Sequence, residues 1–310
     1  MTVLLFHSPE DPVDLWVPAL QENLPGIEIR VSPDLGDPAE IDYALVWKPP
    51  TGMLAGLPNL KAIFSIAAGI DHILADAERP AHLPIVRMAD PYLRAMMTEY
   101  AVYAVLHYHR NMGDYRVDQA NEVWDRRWPL YTPETVVGIL GIGAIGADCA
   151  AAFRALGFDV HGWSRTPKQL DGVTCHHGPA GLSDMLRQTR YLVCVLPLTD
   201  ATRDIINRKT LAQLPAGAVV VNIGRGGHVV DADLLAALDS DHLGGAFLDV
   251  FNDEPLPKGH PYWRHPKVMT TPHVAGELVP RSCAKAVAAN LRRHLAGEPM
   301  HNVVDLDRGY

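Results

Sequence analysis

Apolar and polar positions along this chain alternate between two textures. Short, nearly unbroken apolar runs of β type stand at residues 2–7, 27–31, 43–47, 62–67 and 85–88, separated by Pro- and Gly-rich connections. Runs of that length and composition predict buried parallel strands, since half-exposed strands would alternate with polar residues. A long helical pattern follows over residues 96–112, with Ala101, Val105 and Leu106 or Tyr108 spaced for burial. From Thr135 the β–α rhythm resumes, with strands predicted at 135–140, 158–163, 191–198, 218–223, 245–250 and 268–271. Amphipathic helices are predicted at 231–238, with Asp231 as N-cap, and at 281–295.

This order predicts an α/β fold of two Rossmann-like, doubly wound domains with parallel sheets. Residues 1–99 plus 280–310 are expected to form a discontinuous, flavodoxin-like substrate domain, with the last helix returning to it. Residues 100–279 are expected to form the dinucleotide-binding Rossmann domain, facing the other across a cleft. Between the long helix and the second set of strands lies an arm with Trp124, Arg126, Arg127, Trp128 and Pro129. Its aromatics either form a partner surface or pack on their own domain.

The hexapeptide Gly141-Ile142-Gly143-Ala144-Ile145-Gly146 has the spacing GxGxxG. Alone it says little. An apolar strand leads into it and a helix with Cys149, Ala150, Phe153 and Leu156 on one face leads out, which is the context a dinucleotide needs. Gly141 permits the tight turn, Gly143 lets a pyrophosphate approach the backbone, and Gly146 lets helix and strand pack closely. Ala144 and Ile145 open the helix whose N-terminus faces the phosphates.

In a site that prefers NAD, an acidic residue about 20 positions past the glycines accepts from the ribose 2′-OH. Here Ser164-Arg165-Thr166 stands in that place, with Lys168 just beyond. This cluster suits an anionic 2′-phosphate, which a carboxylate would repel, so NADP(H) is expected in preference to NAD(H). The alternative is a plain polar turn before Pro167.

Composition narrows the classes. Of 310 residues, 48% are hydrophobic and 20% charged, with 27 Lys and Arg against 36 Asp and Glu for a net charge of −9. That balance argues against nucleic acid and anionic membranes as partners. The first seven residues lack a basic n-region and no apolar run reaches membrane-spanning length, so a cytoplasmic location is expected. Cys149, Cys175, Cys194 and Cys283 show no CxxC spacing, and no His/Cys/carboxylate set has ligand spacing, so neither disulfides nor a metal are expected.

Three segments end predicted strands: Asn222-Ile223-Gly224-Arg225-Gly226-Gly227, then Leu248 through Pro257, then Thr271-Pro272-His273-Val274-Ala275-Gly276. With Tyr43-Ala44-Leu45-Val46-Trp47-Lys48-Pro49-Pro50, Ala67-Ala68-Gly69-Ile70-Asp71 and the terminal Arg308-Gly309-Tyr310, they make the chain resemble the D-isomer-specific 2-hydroxyacid dehydrogenases nearly throughout. The resemblance is greatest to the glyoxylate/hydroxypyruvate reductase branch of that family. One departure is Gly224, where many members carry a side chain.

The resemblance implies a triad of Arg225, Glu254 and His273. His273, as imidazolium, would protonate the carbonyl oxygen of a 2-oxo acid as hydride arrives from the nicotinamide. Glu254 would bond the other ring nitrogen and fix its orientation, and Arg225 would hold the carboxylate and polarise the carbonyl. It further implies that backbone N–H groups around Ala68, Gly69 and Ile70 clamp the substrate carboxylate, and that Asp249 faces the nicotinamide carboxamide. Leu196, Pro197, Ile223, Gly224, His273 and Ala275 are expected to border the cofactor, and Thr202 to lie near it. Trp47 either lines the substrate pocket with Arg225 and His273 or belongs to the core.

Expected partners are therefore a small 2-oxo or 2-hydroxy acid and a second copy of the chain, in a homodimer formed through the dinucleotide-binding domain. The activity expected is NADPH-dependent reduction of glyoxylate and hydroxypyruvate, or of another small 2-oxo acid. A rival of another class is a non-catalytic NAD(P)-sensing protein, which would have no need of the triad.

Overall fold

The computed structural model describes residues 2–306. In chain order the elements are β1 (Val3–His7), α1 (Val13–Asn23), β2 (Glu28–Val31), β3 (Tyr43–Val46), β4 (Ala62–Ser65), α2 (Asp71–Leu74), β5 (Ile85–Val86), α3 (Pro91–His109) and α4 (Met112–Ala120). Then follow β6 (Val136–Leu140), α5 (Ala144–Ala155), β7 (Asp159–Ser164), β8 (Thr174–His177), α6 (Gly178–Leu186), β9 (Tyr191–Cys194), α7 (Arg208–Leu211), β10 (Ala218–Asn222), α8 (Asp231–Asp239), β11 (Leu243–Leu248), β12 (Val268–Thr270) and α9 (Pro280–Leu295). The terminal Arg308-Gly309-Tyr310 lies outside the described residues.

The chain divides into two compact units, residues 1–93 with 278–310 and residues 94–277. The division falls within α3, a few residues from the 99/100 and 279/280 boundaries drawn from sequence. The first unit holds a five-stranded parallel sheet of order β2-β1-β3-β4-β5. Its strands are apolar on both faces because both are covered, one by helices α1 and α9 and the other by the turns around Leu54–Leu60 and the short α2. On one side Leu4, Phe6, Tyr43, Leu45 and Phe64 pack with Trp16 and Leu20 of α1 and with Cys283, Ala284, Val287 and Leu291 of α9. On the other, Val3, Leu5, Ala44, Val46 and Ile63 pack with Leu54, Ile70 and Ile73.

The second unit is a seven-stranded parallel sheet of order β12-β11-β10-β9-β6-β7-β8. Chain order reverses between β6 and β9, which puts the switch point where such folds bind ligands beside the glycine turn. The sheet is buried between one layer led by α3 and α5 and another with Leu186, Leu211, Leu234 and Leu238.

Several expectations about elements are corrected. The long helix stops at His109, because Asn111 adopts a left-handed conformation (φ 54°) that an amide side chain tolerates, and α4 starts afresh behind it. The strand expected at 191–198 ends at Cys194, since Pro197 cannot extend a central ladder. Asp231 is not the N-cap of α8, a place Val230 takes. Its carboxylate instead accepts from Tyr262 Oη (3.0 Å) and Asn252 Nδ2 (3.1 Å). Strand β8 has no sequence signature because it is an edge strand of polar, partly exposed residues.

Candidate active site

The glycine turn closes β6 by close backbone approach. Gly141 has φ +99°, and a Cβ on Gly146 would sit 1.9 Å from Gly141 O, so neither position accepts a side chain. A Cβ on Gly143 would meet nothing within 4 Å. That open, solvent-facing space adjoins the first turn of α5, whose N-terminus no side chain caps. Uncapped N–H groups behind an open glycine fit an anionic pyrophosphate. Leu196, after β9, packs against Gly141. Thr202 is tied into that loop: its hydroxyl donates to Pro197 O (2.7 Å) and accepts from Thr199 N (2.8 Å).

At the end of β7 the three residues of the polar turn take different places. Ser164 is buried and its hydroxyl donates to Thr166 O (2.8 Å), whereas Arg165 and Thr166 are exposed. Lys168 Nζ donates to Ile142 O (3.2 Å), which brings a second cation to the glycine turn itself. An exposed Arg165 just past β7 and an ammonium at the glycine turn fit a cofactor with an additional phosphate.

The three expected catalytic side chains come from the ends of three neighbouring strands, β10, β11 and β12. His273 Nδ1 lies 2.9 Å from Glu254 Oε2, and Glu254 Oε1 accepts from Phe251 N (3.0 Å). Both groups are partly exposed, with about a third of the imidazole and a quarter of the carboxylate accessible (35% and 24%). His273 is held in a left-handed conformation (φ 57°) by N–H donation to Asp249 O (2.8 Å) and Thr271 O (3.1 Å). Backbone strain of this sort persists only where surroundings enforce it.

Asp249 does the enforcing. It is fully buried, and its carboxylate accepts from Thr271 Oγ1 (2.7 Å), Val274 N (2.8 Å) and Ala275 N (2.9 Å). Both carboxylate oxygens thus take part in holding the His273 turn. Tyr100 of α3 completes this network by donating to Thr271, and burial pushes its hydroxyl pKa well above the usual tyrosine range.

Arg225 is placed by two residues that sequence reasoning did not single out. Asn222 Nδ2 donates to Arg225 O (2.9 Å) while its Oδ1 accepts from Gly224 N (3.2 Å), a turn that Asn readily makes. His228, fully buried, accepts the Arg225 N–H at Nδ1 (3.1 Å), so its Nε2 carries the proton and donates to Pro197 O (3.3 Å). The same ring explains the missing side chain before the Arg: a Cβ on Gly224 would lie 3.1 Å from His228 and 3.0 Å from Leu196 O. Gly226 touches the backbone of Phe251 and Asn252 so closely that a Cβ would overlap them (1.9 Å). The Arg225 turn and the loop that carries Glu254 are thereby locked together. Ile223 and Ala275 are both buried under these turns.

The expected substrate residues Trp47, Ala68, Gly69 and Ile70 belong to the first unit. Trp47 is partly exposed, with Nε1 donating to Glu10 (2.9 Å), the His72 ring at 4.3 Å and Lys48 Nζ 5.2 Å above its own ring. Ala68 and Gly69 are half-exposed, while the Ile70 side chain is core. Among the described residues no cluster of three or more His, Cys, Asp or Glu is placed to hold a metal ion, and no helix is long and apolar enough to cross a membrane.

The fold and this site define an α/β dinucleotide-dependent oxidoreductase with a His–Glu pair at the sheet's carboxyl edge. The profile described as "D-isomer specific 2-hydroxyacid dehydrogenase, NAD binding domain" matches residues 102–275. The chain is 40% identical, over 99% of both chains, to glyoxylate/hydroxypyruvate reductase A of Photorhabdus laumondii, and 43% identical, also over 99% of both, to that of Salmonella newport. Among solved structures it is similar to a D-isomer specific 2-hydroxyacid dehydrogenase of Xanthobacter autotrophicus in complex with NADPH and MES (TM-score 0.95, 42% identity, 100% and 99% covered). It is equally similar to an NADPH-dependent glyoxylate/hydroxypyruvate reductase of Sinorhizobium meliloti bound to NADP and sulfate (TM-score 0.95, 35% identity, both chains covered in full). The chain belongs to the D-isomer specific 2-hydroxyacid dehydrogenase family.

Proposed function

We propose that the protein reduces small 2-oxo acids with NADPH, taking glyoxylate to glycolate and hydroxypyruvate to glycerate. The observation that carries this reading is the 2.9 Å pairing of His273 with Glu254 in the unit that also bears the glycine turn. When bound, the cofactor supplies the hydride. Glu254 takes one ring nitrogen of His273 and leaves the other to hand a proton to the carbonyl oxygen as charge grows there. Arg225 pairs with the substrate carboxylate through its planar fork and stabilises the developing oxyanion. Within the first unit, backbone N–H groups at Ala68, Gly69 and Ile70 take a substrate carboxylate, and Trp47 bounds the space for the rest of the substrate. Arg165, with Thr166 and Lys168, reads the cofactor's 2′-phosphate.

The partner is a second copy of the chain. Met112 and Val117 of α4, with Val123, Trp124, Trp128, Leu130 and Tyr131 beyond it, form an exposed apolar run in the second unit. Such a run is costly to leave in water and supports a homodimer built on this arm.

The test is initial-rate reduction of glyoxylate and hydroxypyruvate by purified protein with NADPH and NADH in parallel. Rapid NADPH oxidation with NADH much poorer is expected. Oxidation of neither, with those substrates or with bulkier 2-oxo acids, would replace this reading by that of a nucleotide sensor.

A further inference from the structure

His72, in the short helix after the Ala67–Ile70 loop, has no part in the chemistry proposed above, yet it touches both expected substrate segments of its unit. Its Nδ1 accepts the backbone N–H of Lys48 (3.2 Å), so in the neutral ring the proton lies on Nε2. Nε2 is 3.2 Å from Ser65 Oγ and donates to it. Ser65 also accepts from Ala67 N (3.2 Å) and gives its own proton to Gly69 O (3.1 Å). A hydroxyl has one donor and two acceptor positions, and all three are used. The chain of bonds therefore has one direction, from Lys48 N–H through His72 and Ser65 to Gly69 O.

Each end of this chain fixes a piece of backbone. Lys48 has φ 45°, a left-handed conformation doubly disfavoured for a side-chain-bearing residue before Pro49. The bond to His72 and the Lys48–Glu10 ion pair (2.8 Å) hold it there, and with it the Trp47 ring that rests on His72. At the other end Ser65 draws the Gly69 carbonyl inward. In a trans peptide the N–H of the next residue points the opposite way, so Ser65 aims the Ile70 N–H away from the strand and outward.

We propose that His72 is a positioning residue for substrate: one neutral imidazole sets the orientation of the carboxylate-binding amides and of the Trp47 wall together. The proposal rests on the reading that the Ala68–Ile70 amides bind the substrate carboxylate, and the two are separable. Isotope-labelled protein saturated with NADP is titrated with oxalate, an unreactive dicarboxylate of glyoxylate's shape, while the amide resonances of Ala68, Gly69 and Ile70 are followed. Their movement is expected. Resonances that stay put while oxalate inhibits would remove the carboxylate-binding reading and the role of His72 with it.

Given that movement, His72→Leu and Ser65→Ala are each expected to raise KM for glyoxylate about tenfold, the size of one lost hydrogen bond to a charged-ligand site. They should leave kcat and the KM for NADPH within about twofold, and the double variant should be no worse than either single one. His72→Gln, whose amide nitrogen can still donate to Ser65, should recover most of the loss. Unchanged KM in both single variants, with the amides still responding to oxalate, would overturn the inference and leave the carboxylate reading intact. Should the variants not fold, the ring nitrogen shifts of His72 in the unaltered protein decide: a proton on Nε2 alone is expected, and a proton on Nδ1 would overturn the chain as drawn.

Discussion

Glu254 meets His273 at Nδ1, 2.9 Å away, and its second oxygen is held by the Phe251 N–H at 3.0 Å. The carboxylate is thus anchored before it orients the ring, and the ring's free choice of tautomer is removed. Glu254→Gln keeps the shape but replaces the anion with an amide. The kcat for glyoxylate reduction is expected to fall by about 10²–10⁴-fold, as when the carboxylate behind a proton-transferring imidazole becomes an amide. His273→Ala should fall below detection, with NADPH still quenching tryptophan fluorescence in both variants. Full turnover in Glu254→Gln would take the pair out of the reaction.

Arg165 stands exposed beside the buried Ser164, while Lys168 reaches back to Ile142 O. If the guanidinium reads a 2′-phosphate, its loss removes a charge-assisted contact that NADH never makes. Arg165→Ala is expected to raise KM for NADPH about 10–100-fold and that for NADH less than about twofold. Equal losses for both cofactors would assign Arg165 to the fold of the turn.

Much of this architecture was legible because buried parallel strands write themselves as apolar runs, and because the glycine turn needs particular residues at 141 and 146. Positions whose work is done by hydrogen bonding across the fold were not legible. His228 and Asn222 sit in a glycine-rich stretch that says only "turn", and the His228 ring that grips Arg225 is itself set by the β9 loop 31 residues away. The part Asp249 plays in holding the His273 turn was not legible either, because its partners at 271, 274 and 275 lie on the next strand's loop. Edge strand β8 and the break at Asn111 escaped for the opposite reason: neither carries an apolar period, so tertiary context alone decides them.

The aromatic arm offers a sharper test than its sequence did. Trp124 is fully exposed (101%) and Trp128 nearly so (79%), so packing within their own unit does not account for them. Buried at an interface, each would act as an aromatic anchor worth about 2 kcal/mol or more. Trp124→Ser combined with Trp128→Ser is expected to shift the protein from dimer to monomer in sedimentation velocity at micromolar concentration, with its circular dichroism unchanged. A wild-type protein that sediments as a monomer, or a variant that remains dimeric, would locate self-association elsewhere or nowhere.

Cys149 and Cys194 make the last prediction, on alkaline stability. Both are fully buried, and burial pushes the Cys149 thiol up to about 11 and the Cys194 thiol up to about 12. An unfolded chain releases these protons near pH 8.5. The folded state therefore binds more protons than the unfolded one above that pH, and stability must fall as pH rises. The contribution is complete below about pH 8.5 and is lost on the way to pH 11–12. At pH 9.5, before unfolded tyrosines titrate, the loss is at most about 1.4 kcal/mol for each thiol. The urea midpoint of the wild type is expected to drop between pH 7.5 and 9.5, and that of the double variant Cys149→Ala, Cys194→Ala to change less over the same interval. Each protein serves as its own reference, so the cavity left by each truncation cancels. Equal pH dependence in the two proteins would mean that these thiols do not remain protonated in the folded state.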